Sequence, residues 1–196
     1  MRTSGSVDNV VMQDFSMSCR VDTGRTDQQY RTNTRGVYIT GDGSQFNAAS
    51  LQHSNITMER VEIYQCGGEA IQMKGLDTFT GIDLNFYNNG WGNTDLWHNI
   101  YLKRVRNITI KQTSASSGGF KDSPSGHGMR MSDLDDVYLE NLTVEGNADH
   151  GLHMDNVSNF RGHNLRLEGN CTIPNGLCRA SGCYNDCDYD LGADKE

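Results

Sequence analysis

The feature that most restricts how this chain can fold is a repeated cassette. The segments NVVM from Asn9, NITM from Asn55, TFTG from Thr78, NITI from Asn107, DVYL from Asp136 and NFRG from Asn159 superpose on one another. From Asn55 onward they begin 23, 29, 29 and 23 residues apart. Each is followed by a short alternating pair: Phe15/Met17, Val61/Ile63, Ile82/Leu84, Leu142/Val144 and Leu165/Leu167, with Thr113/Ala115 as the weak member. After a variable loop comes a third pair: Val37/Ile39, Ile71/Met73, Ile100/Leu102, Met129/Met131 and Leu152/Met154.

Alternation with period two turns one side chain inward and the next outward, so three such strands per repeat close into a prism around stacked aliphatic and Met side chains. The expected fold is all-β: a right-handed parallel β-helix, a solenoid of about six coils with three short strands per coil. An antiparallel sandwich shares the alternation, but sandwiches do not normally repeat one cassette in register. The composition agrees, with 35% apolar residues, 22 Gly, 18 Asn and only 2 Pro, which suits many tight turns and few helix-length apolar stripes. A length of 196 residues is that of one domain. Residues 1–170 are assigned to the β-helix, and 171–196 to a cysteine-rich C-terminal tail or cap.

The spacings of 29 arise from extra residues at about 88–97 and 114–126, both read as lying just before the third strand. Insertions gathered on one edge suit a binding rim. Trp91, Trp97 and Phe120 lie in them, where an aromatic ring could stack on a sugar face or cap the core.

Aligning the third strands exposes a column of chemistry. Two residues before the first inward position stand Arg35, Glu69, His98, His127 and His150. The outward position reads Tyr38, Gln72, Tyr101, Arg130 and His153, and the next reads Thr40, Lys74, Lys103, Ser132 and Asp155. Equivalent residues on neighbouring rungs of a parallel stack lie about 4.8 Å apart, so the three histidines should form a ladder along the axis. Imidazoles that close cannot all be protonated cheaply, which keeps at least one neutral and available as a base. The bland reading is ordinary solvated surface, with His serving the turn before Gly or Asn.

Repeats such as NITI…HGMRM and DVYLENLTVEGNADHGLHM resemble the pectin-lyase-like superfamily of right-handed β-helix proteins, over about residues 7–170. That superfamily includes polysaccharide lyases, uronate epimerases, polygalacturonase-type hydrolases, phage tailspikes and non-catalytic surface proteins, so the fold alone selects no activity. The hydrolase signature is only superficially present, in Asn93-Thr94-Asp95, Gly126-His127-Gly128 and Asp135-Asp136, because the Asp pair follows the Gly-His-Gly. Neither an Arg-x-x-Pro-x-x-Arg segment nor an Asp-Pro-His-Asp segment occurs.

Lyase or epimerase chemistry removes a proton beside a uronate carboxylate whose charge must first be neutralised. In that scheme Arg130 or Lys103 faces the carboxylate, His127 or His150 takes the proton and Tyr101 donates to the leaving oxygen, with His98 completing the catalytic set. Lys74, His153, Asp155, Trp91 and Trp97 would line the substrate. The rival use of the ladder is a metal site, since three imidazoles could ligate zinc or copper. No resident cofactor is otherwise expected.

A net charge of −8 argues against a general nucleic-acid binder and requires a local basic patch for any anionic ligand. No apolar stretch approaches a membrane span, and the start, MRTSGSVDNVV, lacks the apolar core of a signal peptide. The expected partner is a polysaccharide or other glycan, with no nucleic acid and no membrane insertion. Cys19 and Cys66 fall within one residue of the same column on neighbouring coils, which suits a disulfide. Cys171, Cys178, Cys183 and Cys187 suggest a disulfide-stapled cap, and six cysteines in all favour an extracellular setting. Five sequons, at Asn55, Asn107, Asn141, Asn156 and Asn170, would permit glycosylation, unless Asn and Thr are simply common at coil corners. A solenoid with open ends could also stack head to tail, and the alternative function is a non-catalytic structural or adhesive subunit of an extracellular filament, phage tail or surface fibre.

Overall fold

The computed structural model describes residues 6–19, 34–41, 51–90, 98–113, 118–124 and 126–170, together with the backbone of 189–191. The strands are β1 (Val7–Ser18), β2 (Val37–Thr40), β3 (His53–Tyr64), β4 (Ile71–Tyr87), β5 (Ile100–Lys111) and β6 (Gly119–Lys121). They continue with β7 (Met129–Glu140), β8 (Thr143–Glu145), β9 (Leu152–His163), β10 (Leu165–Glu168) and β11 (Tyr189–Leu191). Neighbours pair in parallel, except that β11 returns antiparallel to β10. No helix occurs among the described residues.

The cassettes stack in register. Their first inward residues form one continuous column, Val10, Ile56, Phe79, Ile108, Val137 and Phe160. The third strands align as Val37, Ile71, Ile100, Met129 and Leu152, the pairing read from the sequence. Both columns face a single core in which Ile56, Phe79, Ile71, Ile100 and Met129 are fully buried. Cys19 and Cys66 form a disulfide at the end of the second strands, closing a loop of 47 residues.

The corners explain the repeat's first letter. Asn9, Asn55, Thr78, Asn107, Asp136 and Asn159 all adopt left-handed backbone, with φ between 51° and 67°. Most L-residues resist that region, whereas Asn and Asp tolerate it because their short side chains bond locally. Five residues on, Asp14, Arg60, Asp83, Asn141 and Asn164 repeat the left-handed turn. Gln112, the member missing from this second series, stands where the chain leaves the regular coil.

The second strands differ from the sequence reading at two coils. Val61 pairs with Leu84, and Ile63 with Phe86, so the inward pair is Leu84/Phe86 and not Ile82/Leu84. Ile82 instead faces outward between Glu59 and Lys111. One coil on, Phe86 pairs with Phe120 and Phe120 with Val144, which displaces Thr113/Ala115 from the column. Phe120 is therefore core, fully buried and stacked on Phe86 with ring centroids 5.6 Å apart. Gly119 permits this return, because a Cβ there would lie 2.1 Å from the Thr143 carbonyl oxygen. Along the chain, residues 91–97 stand before a third strand and residues 114–117 before a second strand; both segments lie outside the described residues.

Candidate functional site

Just before each third strand the chain turns a corner, and the polar column sits there. Its backbone is tied rung to rung: the Gly36 N–H donates to Glu69 O at 3.3 Å, Asn99 to His127 O at 3.2 Å and Gly128 to His150 O at 3.0 Å. Regular pairing on both sides thus fixes the rise between side chains. At the first rungs Arg35 Nε donates to Glu69 Oε2 at 2.7 Å. Burial pushes the Glu69 carboxyl upward from its ordinary range, against the pull of Arg35.

The histidines follow as the expected ladder. His98 and His127 stack with centroids 4.7 Å apart and planes 9° from parallel. His150 stands 5.2 Å from His127 at a tilt of 58°. His153 joins from the third strand, 4.5 Å from His127 and 5.6 Å from His150. Contrary to a solvated surface or an open groove, His98, His127 and His150 are only 1%, 2% and 2% exposed. A sugar ring cannot reach a base at that depth without displacing its cover.

Burial also sets their charge. It drives His98 well below the ordinary histidine value, reinforced by the charges of Arg130 and His153. His127 is lowered for the same first reason, and then by His98. His153 is lowered by burial, Arg130 and His150. These three rings are neutral at pH 7. Asp149 is the counterweight: burial raises its carboxyl, but His150 and His127 more than offset that and hold it below the usual range. Its Oδ1 lies 2.6 Å from His150 Nδ1, and its Oδ2 is 3.5 Å from His127 Nδ1.

One ligating nitrogen from each of His127, His150 and His153 lies within 4.8 Å of the other two. His98 is outside that group. Its Nδ1 accepts the backbone N–H of His127 at 3.1 Å, so that lone pair is committed. The metal-capable set is thus His127, His150 and His153, not the His98, His127 and His150 of the simple column.

The outward face of the third strands lies alongside. Gln72, Tyr101, Arg130 and His153 occupy one row, and Lys74, Lys103, Ser132 and Asp155 the next. Tyr101 is half-buried, with Lys74 Nζ 5.2 Å and Arg130 Cζ 5.4 Å from its ring centre. Burial raises the Tyr101 hydroxyl and lowers the Lys74 ammonium, the latter also repelled by Lys103. Arg35, Arg60, Arg106, Lys121 and Arg166 each pair with a carboxylate. Lys74, Lys103 and Arg130 form no salt bridge among the described residues. Asp155 is exposed at the end of its row. Trp91 and Trp97 lie outside the described residues, as do Cys171, Cys178, Cys183 and Cys187.

A second buried polar column was missed from the sequence. Asn89 Nδ2 donates to Asn99 Oδ1 at 2.9 Å, Asn99 Nδ2 to Asn147 Oδ1 at 3.1 Å and Asn147 Nδ2 to Asn170 Oδ1 at 2.8 Å. Its signal is an Asn three residues after the last inward residue of the second strand, at Phe86, Val144 and Leu167. At the intervening coil that position is Ser123, and Asn99 reaches in to bridge the gap. Gly128 leaves room for the ladder, since a Cβ there would meet Val144 Cγ1 at 2.2 Å and Asn147 Nδ2 at 2.8 Å.

The sequon asparagines are corner and ladder residues. Asn55 donates to Asn9 Oδ1, Asn107 to Asp77 Oδ1, Asn141 to Gln112 O, Asn156 to Asp133 Oδ1 and Asn170 to Val144 O. Asn55, Asn107 and Asn156 remain exposed, but Asn170 is only 6% exposed within the ladder, where a glycan on its amide nitrogen would not fit.

Comparison with known families places these coils in context. The family described as the right-handed beta helix region matches residues 26–188, most of the chain. No curated protein and no solved structure matches. The chain belongs to the right-handed β-helix family.

Proposed function

We propose that this right-handed β-helix protein binds an acidic polysaccharide along the outward face of its third strands. The observation that carries the reading is the cluster of Lys74, Lys103 and Arg130 around Tyr101, cations without carboxylate partners among the described residues of a chain whose net charge is −8. Cations held on a rigid sheet suit a repeating row of carboxylates, and an aromatic ring between them suits the apolar face of a sugar. The rung spacing lets one chain of sugars contact several rungs. The Cys19–Cys66 disulfide supports an oxidising, extracellular compartment.

Binding is favoured over elimination or epimerisation. His127 and His150, the expected bases, are each 2% exposed, which withholds them from a bound sugar. The test is binding of the full chain to a polyuronate and to a neutral glucan, at low and raised salt, with absorbance of the unsaturated product followed in parallel. Polyuronate-selective, salt-sensitive binding is expected, weakened about tenfold by Arg130→Ala, the loss of one charge-assisted contact. Equal affinity for the neutral glucan would overturn the reading, and an unsaturated product would reinstate lyase chemistry.

A further inference from the structure

We propose that His127, His150 and His153 form a binding site for a divalent transition-metal ion of the zinc class, with Asp149 as the supporting carboxylate. The geometry is close to that required. Three imidazole nitrogens around a tetrahedral ion at about 2.0–2.1 Å lie about 3.3 Å from one another. Here the three candidate nitrogens already lie within 4.8 Å of each other, so small side-chain rotations would close the site.

The scaffold makes that convergence reproducible. Gly128 and His150 are hydrogen-bonded across neighbouring rungs at the corner before the third strands, and Arg130 pairs with His153 within those strands, so two of the rings are fixed at the tied corner and the third on regular sheet. His127 Nδ1 is buried without a hydrogen-bond partner, which in a packed interior costs stability unless a ligand engages it. Asp149 supplies the outer contact that metal-bound histidines normally have. With Oδ1 2.6 Å from His150 Nδ1, it holds the proton on that nitrogen and leaves the other nitrogen of the ring as the lone-pair donor. His98 closes one side of the site by stacking on His127 while its own Nδ1 is occupied by the His127 N–H. The charges near His153 are Arg130, which opposes a cation, and Asp149 and Asp155, which favour one. Imidazole donors with no thiolate select zinc, copper, nickel or cobalt over calcium or magnesium.

The test uses the intact chain, first stripped with a chelator. Zinc competition against a chromophoric chelator should give tight binding at the histidine cluster, and cobalt(II) should give the visible spectrum of a tetrahedral nitrogen and oxygen site. His153 is only partly buried, so His153→Asn and His153→Gln should keep the β-sheet circular dichroism and lose the cobalt spectrum. Asp149→Asn should weaken binding about 10- to 100-fold. The idea is overturned if the wild type gives no tetrahedral cobalt spectrum, if the spectrum survives both His153 variants, or if it carries a thiolate charge-transfer band assigning the ion to cysteines. Polyuronate affinity measured on the same His153 variants separates this site from the glycan surface, because loss of metal need not alter Lys74 and Lys103.

Discussion

Two buried polar columns climb the same edge of this solenoid, and they solve the problem of burial in opposite ways. In the asparagine column every link is made: Asn89, Asn99, Asn147 and Asn170 pass hydrogen bonds from rung to rung, and spare donors go to backbone carbonyls such as Ile63 O, Lys121 O, Phe120 O and Val144 O. The histidine column is as deeply buried but is held by ring stacking, with His98 and His127 kept neutral and His127 Nδ1 left without a hydrogen-bond partner. A buried polar group is cheap when paired and costly when not. The first column is therefore framework, and the second responds to protons or to a ligand.

Asn147 gives the largest expected effect. It engages the Ser123 N–H, Asn99, Phe120 O, Glu145 O and Asn170, so Asn147→Ala leaves at least two buried groups unpaired, at a cost of about 1–3 kcal/mol each. Urea unfolding should show a loss of about 3–5 kcal/mol, summing those orphaned groups. If the loss is under about 1 kcal/mol, the column is not the framework it is taken for.

Acid should act on the other column. His98 and His127 are held below their ordinary value of 6.5 when folded, so the unfolded chain binds more protons as pH falls beneath that value. Stability is complete above about pH 6.5 and declines below it, by about 1.4 kcal/mol per pH unit for each histidine. Metal-free thermal melts at pH 7.5 and 5.5 would measure the slope. His98→Asn, which keeps an acceptor near the Nδ1 position, should reduce it, and an unchanged slope would place the titration elsewhere.

Smaller effects test whether the corners are set by local backbone preference. Asn107 has φ 54°, and Asn107→Ala should cost about 1–2 kcal/mol in a melt, whereas Asn107→Gly should cost less. Asp14→Asn, which breaks an exposed pair with Arg60, should leave the melting temperature where it is.

The third strands were readable because inward residues alternate with polar ones and their registers carry no insertion between Ile71 and Met73 or their equivalents. Ile82 misled because it is apolar on an outward position, while Gly81 hides an inward one. The insertion at 114–117 broke the count for the second strand, so Phe120 was assigned to a loop although it continues the column of Phe86 and Val144. The histidine column was legible from alignment, but its burial was not. Asn99 was invisible as a ladder member, because its place is defined by the gap at Ser123 on another coil.

What the sequence alone determined is the period of the first and third strands: which of their residues turn inward, which share a row, and where Asn or Asp turns the corner, since these follow from alternation and backbone sterics within a few neighbours. Only the tertiary structure decided which rows meet. The approach of His153 to His127 and His150, the carboxylate of Asp149 beside them and the closing of the asparagine ladder by Asn99 depend on how neighbouring coils seat on one another. That is set by packing between coils, to which no local pattern in the chain refers.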